Sequence, residues 1–354
     1  MRDYRVIVIA GDGIGPEVTA ATLAVLDAVQ ADAGFTLHLE SHNAGAGHYR
    51  ATGRAIDEAT LTACRRADGV VKGPVGDPTV RSPDGTEAGT LGGILRPGLD
   101  AYANVRPVRL YPGVTSALRD VEPGGIDYVI VRENTEGLYA SRGKGTVTAH
   151  GVTDYMTMSR AGIDRVVRKA FTLATARNGA PDGGGRRVTC VDKANVLRGF
   201  ALFREIFDTV ALEHPTIAAD HLYADAAAAA LIERPGTFDV LVMENFVGDI
   251  LSDLGAATVG GLGMCPSGNI GNASAYFEPI HGSAPSLAGT DRANPLATIL
   301  SGALLLDWLG EAAAATRVRT GVERALAARA ITLRPDGTAD QGTRAAARSV
   351  IAAL

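Results

Sequence analysis

The feature that most restricts this chain is a hydrophobic period that switches back and forth along its first hundred residues. "YRVIVIA" is a continuous apolar run of strand length, and "PEVTAATLAVLDAVQ" then spaces its apolar residues as a helix does. "FTLHLES" alternates as a strand, "DEATLTACRRA" returns to helical spacing, and "DGVVKGP" reads as another buried strand. Strands that alternate with helices pair in parallel and carry helices on their faces. The chain therefore predicts an α/β fold with mostly parallel sheets. From about residue 100 the rhythm changes. "AYANVRPVRLY", "IDYVIVREN" and "TVTAHGVTDYMTMS" are strand-like with little helix between them. "RRVTCVDKAN", "TIAADHLYAD" and "FDVLVME" follow, spaced by helices. A length of 354 residues allows two domains.

The turn after the first strand tests for a dinucleotide-binding finger, Gly-x-Gly-x-x-Gly. Gly11 and Gly13 take its first two positions, but Pro16 stands at the third and Gly15 comes one residue early. Pro16 suits the first turn of a helix. Glu17 beside it would repel a pyrophosphate. The stretch reads equally well as a plain strand-to-helix turn.

A net charge of -5 and an aromatic content of 5% argue against nucleic-acid binding. "LATILSGALLLDW" is too short for a membrane span, and no signal-peptide pattern opens the chain, so no membrane partner is expected. Cys64, Cys190 and Cys265 lack metal-ligand spacing and read as reduced buried thiols of a cytoplasmic protein. Of 34 basic residues only Lys72, Lys144, Lys169 and Lys193 are lysines. An amine can lose a proton where a guanidinium cannot, which makes these four the candidates for acid–base work.

Arg96, Arg106 and Arg132 lie in or beside strand-like segments. Singly each reads as a salt-bridged arginine; together their planar forks would suit a di- or tricarboxylate. Tyr139 follows the polar turn "ENTEG" and reads alone as a packed ring. Lys193 ends the strand "RVTCV", where ligands bind in open α/β sheets, or else pairs with Asp192. Asp225 ends another strand. Asp249 and Asp253 stand four apart at the start of a helix, as capping acids or as oxygen ligands for Mg²⁺ or Mn²⁺. Like charges at this spacing repel unless a cation lies between them. The loop "HGSAPSLAG" allows close backbone approach to a phosphate or an adenine.

"GDGIGPEV", "LRPGLDAYANVRPVR", "VRENTEGLY", "DKANVL", "GDILSD", "PSGNIG" and "FEPIHGSAPSLAGTDRANP" occur in the order found in the β-decarboxylating dehydrogenases. The chain resembles that family, which contains isopropylmalate, isocitrate and homoisocitrate dehydrogenases with tartrate/D-malate relatives, over nearly its whole length. The resemblance implies two domains that are not of the Rossmann type. A large domain would comprise residues 1–99 and 251–354, and a small one, 100–250, would build a homodimer interface. It implies oxidative decarboxylation of a 3-substituted (2R)-malate with hydride transfer to NAD. By the same resemblance Arg96, Arg106 and Arg132 hold the malate carboxylates, and Asp225, Asp249 and Asp253 hold Mg²⁺ or Mn²⁺. Tyr139 would protonate carbon 3 and Lys193 would take the hydroxyl proton. Lys193 and Asp225 would reach in from the second subunit. His281, Gly282, Ser283, Ala284, Ser286 and Asn294 would hold the adenosine end of the cofactor.

The chain departs from the family pattern in two places. Ser286 stands where NAD-preferring members carry aspartate, and no Lys-Tyr pair of the NADP type is present, which favours NAD and leaves NADP open with Arg292 as a phosphate partner. Before Arg96, where members read the substituent, this chain offers Thr90, Gly92 and Gly93. "PSGNIG" and "GGLGM" resemble isocitrate-type enzymes, while "VGDP" and "RPVRLYPGV" resemble the tartrate/D-malate group. The implied substrate is of isopropylmalate, isocitrate or homoisocitrate type, with tartrate/D-malate activity and a specialised malate derivative as the alternatives. A non-catalytic regulatory subunit is the alternative of another class, and the complete set of candidate residues argues against it.

Overall fold

The apolar end of the first strand sets the first sheet. The computed structural model describes residues 2–83 and 85–354. The chain divides into two compact units, Met1–Asp100 with Tyr111–Thr115 and Gly260–Leu354, and Ala101–Leu110 with Ser116–Val259.

In the first unit, β1 (Arg2–Ile9) starts exposed and ends with Val6 to Ile9 buried. It continues through α1 (Gly15–Gln30), β2 (Phe35–Ser41), α2 (Ala46–Thr52), α3 (Glu58–Arg66), β3 (Gly69–Lys72) and α4 (Gly92–Gly98). The second unit contributes β4 (Ala103–Arg109), β5 (Asp127–Glu133), the short hairpin β6 (Thr146–Thr148) and β7 (Gly151–Thr153), and α5 (Arg160–Ala176). It goes on with β8 (Arg187–Asp192), α6 (Arg198–Ala211), β9 (Ala218–Tyr223), α7 (Ala224–Glu233), β10 (Val240–Met243) and α8 (Asn245–Thr258). The chain then returns to the first unit with β11 (Pro266–Ile270), β12 (Ala275–Pro279), α9 (Leu296–Trp308), α10 (Ala312–Ala327) and α11 (Thr343–Ala352).

The first unit orders its strands β2-β1-β3-β12-β11, parallel except for the β11–β12 pair. The second orders them β4-β5-β10-β8-β9, parallel except for β4–β5. The α/β class with mostly parallel sheets is thus the fold observed. α9 is buried on nearly every side, against α1, α10 and the β11–β12 strands, which accounts for its apolar residues all round. In the second unit Phe171, Phe203 and Phe207 fill the space where α5 and α6 meet the sheet. Cys64, Cys190 and Cys265 are buried, and none is in a disulfide. Among the described residues no helix is long and apolar enough to cross a membrane.

Two expectations need correcting, and two strands were not foreseen. The boundary at residues 250–251 falls inside α8, which stays whole within the second unit. The glycine-rich passage after α8 conceals β11 and β12; Ser267, Gly268 and Asn269 are buried in β11 but have little strand propensity. Arg96 sits on a helix, the seven-residue α4.

Candidate active site

The "GDGIGPEV" turn proves to be a structural junction. Asp12 accepts backbone N–H bonds from Ala46, Gly47 and Gly76 at 2.7–2.9 Å, tying three loops of the first unit together. Ile14 N donates to Ser283 O at 2.8 Å, and a Cβ on Gly13 would lie 2.0 Å from that oxygen. The glycine is required because the "HGSAP" loop lies directly against the turn. Glu17 accepts from Gly289 N at 3.2 Å, so its carboxylate serves the same loop.

In that loop Ser283 donates to Gly76 O at 2.6 Å, and Ala284 takes a left-handed conformation with φ +37°. His281 Nδ1 lies 3.0 Å from Gly282 O, while its Nε2 is buried with no hydrogen-bond partner among the described residues. Desolvation lowers the His281 pKa below the usual histidine value, which keeps the ring neutral. A Cβ on Gly282 would meet nothing within 4 Å. Ser286 is exposed on a short 3₁₀ turn. Asn294 is buried, with Oδ1 accepting from Leu296 N at 3.0 Å. Arg292 faces Asp336 at 3.5 Å. Thr90 precedes α4; Arg96 on α4 folds back so that a Cβ on Gly92 would lie 3.6 Å from its guanidinium carbon.

The second unit gathers the charged groups around α8. Glu244 caps this helix, accepting from Phe246 N at 2.9 Å and Val247 N at 3.2 Å. Asp249 and Asp253 come one and two turns later, so they are not capping acids, although they share a face. Arg132, at the end of β5 and 1% exposed, lays its guanidinium along the helix. Its Nε and Nη2 donate to Asn245 Oδ1 at 3.0 and 2.7 Å, and Nη1 donates to Asp249 Oδ1. This course is open only because residue 248 is glycine: a Cβ there would stand 2.6 Å from Arg132 Cγ. Arg106 on β4 donates to Asn104 Oδ1 at 2.5 Å and Ser252 Oγ at 2.6 Å. Its Nη1 lies 3.6 Å from both Asp249 and Asp253. The cation required between the two aspartates is therefore, here, an arginine. Partial desolvation raises the Asp253 pKa above the usual aspartate value, opposed by Arg106 and assisted by the Asp249 charge. Tyr139 is 42% exposed and donates to Asp249 Oδ2 at 2.8 Å. The supporting residues Asn104, Asn245 and Ser252 were not foreseen. Their only signal in the sequence is position, two before Arg106, four before Asp249 and one before Asp253.

Lys193 and Asp225 form a separate pair, with Nζ 2.5 Å from Asp225 Oδ1. That contact holds the Asp225 carboxyl below the usual aspartate range. Asp192 is not the partner of Lys193; it is fully buried and binds Arg204. Among the described residues no three acidic, histidine or cysteine side chains gather as a metal site. Asp249 and Asp253 are thus brought together, and Asp225 does not join them within one chain.

The sequence matches the family model described as isocitrate/isopropylmalate dehydrogenase over residues 5–348. It is 44% identical over 340 residues to the 3-isopropylmalate dehydrogenase of Leifsonia xyli subsp. xyli, covering 93% of this chain and 92% of that protein. The 3-isopropylmalate dehydrogenase of Beutenbergia cavernae is 42% identical over 355 residues, covering 98% and 99%. Among solved structures, isocitrate dehydrogenase from Methylococcus capsulatus is similar with a TM-score of 0.86 at 34% identity over 99% of both chains. The apo beta-decarboxylating dehydrogenase from Thermococcus kodakarensis gives 0.80 at 35% identity, over 99% of this chain and 96% of that one. The chain belongs to the isocitrate/isopropylmalate dehydrogenase family and is a decarboxylating dehydrogenase.

Proposed function

We propose that the chain oxidises and decarboxylates a 3-substituted (2R)-malate, with 3-isopropylmalate the first substrate to test, NAD the hydride acceptor and Mg²⁺ or Mn²⁺ the metal. The observation that carries this reading is the α8 cluster. Two buried arginines, each fixed by a neutral amide or hydroxyl, face two aspartates and an exposed tyrosine. Arg106 and Arg132 bind substrate carboxylates through planar forks. Tyr139 has its hydroxyl on Asp249 and supplies the proton to carbon 3. Lys193 of a second copy takes the hydroxyl proton.

The donor set fits a hard divalent cation. Asp249 and Asp253 offer carboxylate oxygens one turn apart, and Asp225 of a second copy completes the set. A divalent cation held by these carboxylates would supply Lewis-acid polarisation to the substrate. The first unit fits NAD through His281 Nε2, which has no hydrogen-bond partner among the described residues, and the open backbone at Gly282, with Ser283, Ala284, Ser286 and Asn294 shaping the loop. Arg292 already faces a carboxylate, which favours NAD over NADP. A homodimer is supported by the β6–β7 hairpin, whose Val147 and Val152 are 76% and 66% exposed.

The segment before Arg96 favours an apolar substituent over a third carboxylate. A Cβ on Gly93 would meet nothing within 4 Å, and Thr90 is the sole hydrogen-bonding side chain among residues 90–93. Initial rates with 3-isopropylmalate, isocitrate, homoisocitrate, D-malate and tartrate, each with NAD and NADP and Mn²⁺, test this. Greatest kcat/KM for 3-isopropylmalate with NAD is expected. A preference for tartrate or D-malate would replace the substrate assignment, and silence throughout would favour the regulatory alternative.

A further inference from the structure

We propose that Tyr223 is a positioning residue for Lys193: its ring face holds the lysine side chain, and Arg204 fixes the ring. This rests on the role given to Lys193 above.

The argument starts at the ends of two paired strands. Asp192 closes β8, Tyr223 closes β9, and the two are register partners. Lys193 follows the first by one residue and Asp225 follows the second by two. Asp192 is fully buried and receives Arg204 Nε and Nη2 at 2.8 Å each, with Ala194 N at 2.9 Å. Val196 N and Leu197 N donate to Lys193 O at 3.0 and 3.1 Å. The backbone that bears Lys193 is therefore held from both sides.

The side chain is a different matter. A lysine has four rotatable carbons and a compact charge, so one ion pair leaves its direction poorly defined. Asp225 supplies one point of attachment. Tyr223 supplies the second: Lys193 Nζ lies 5.5 Å from its ring centroid, within the range of a cation–π contact. The guanidinium of Arg204, already clamped by Asp192, lies 5.3 Å from the same centroid. Tyr223 is 37% exposed, so core packing does not account for a large aromatic ring there. Asp192, Arg204, Tyr223 and Lys193 thus form one chain of contacts that runs from the buried end of β8 to the amine.

The test uses the purified full-length enzyme with 3-isopropylmalate, NAD and Mn²⁺. Tyr223→Leu and Tyr223→Met should lower kcat about tenfold, as loss of a cation–π contact and of orientation predicts. The KM for substrate and the melting temperature should stay near wild type. The isotope effect with substrate deuterated at carbon 2 should rise as chemistry becomes slower. Tyr223→Phe keeps the ring face and should restore kcat. Lys193→Met is the control. If it retains turnover, the role of Lys193 falls and this inference with it. If it is inactive while both Tyr223→Leu and Tyr223→Met turn over normally, the inference alone falls. Failure of Tyr223→Phe to restore kcat would overturn it as well.

Discussion

Asp249 is the residue on which the cluster converges, taking Arg132 on one oxygen and Tyr139 on the other. Asp249→Asn should keep the fold, weaken Mn²⁺ binding and lower kcat by about two orders of magnitude or more, because the proposed metal site loses a charged ligand. Turnover and Mn²⁺ titration on the same preparation check this. His281 gives a prediction of different kind. Its ring is held neutral by desolvation, so its pKa in the fold lies below that in the unfolded chain, about 6.5. Between those two values the unfolded chain binds the extra proton, and stability falls as pH falls through that window. His281→Gln should flatten this acid-side slope in urea titrations taken from pH 7 downward, and an unchanged slope would assign it to other groups. At this scale much was legible. The spacing of Asp249 and Asp253 was readable, and the two do share a helix face beside Arg106. Asn104, Asn245 and Ser252 were not readable, because a neutral amide or hydroxyl acquires its role only from the arginine placed against it.

At the scale of elements, α8 is the scaffold that matters. Its direction is set by the Glu244 cap, its face by the spacing of Asn245, Asp249 and Asp253, and its approach to β5 by Gly248. Gly248→Ala would force Arg132 aside and should destabilise the fold by about 1–3 kcal/mol, with a rise in substrate KM. Glu244→Ala should remove the cap at a cost of about 1–2 kcal/mol. Denaturant titrations of both variants measure these costs, and unchanged midpoints would contradict the packing described. The alternating strands and helices of the first hundred residues were legible because their periods differ so plainly. The β11–β12 hairpin was not: glycine, serine and asparagine in a strand are held there by burial and pairing, which a single sequence does not display. The short helices α2 and α4 and the terminal α11 escaped for lack of a long apolar period.

For the whole molecule, one chain carries two separated sets of candidate groups. Arg106, Arg132, Tyr139, Asp249 and Asp253 surround α8, while Lys193 and Asp225 pair at the ends of β8 and β9. The central claim is that these are complementary halves of one reaction site, supplied by two copies of the chain. Complementation between inactive variants tests it most directly. Lys193→Met and Asp249→Asn should each fail to reduce NAD with 3-isopropylmalate and Mn²⁺. After mixing, reversible dissociation and reassociation, about a quarter of wild-type activity should return, because half the dimers are mixed and each holds one intact site of two. A mixture that forms mixed dimers and stays inactive would contradict the shared site.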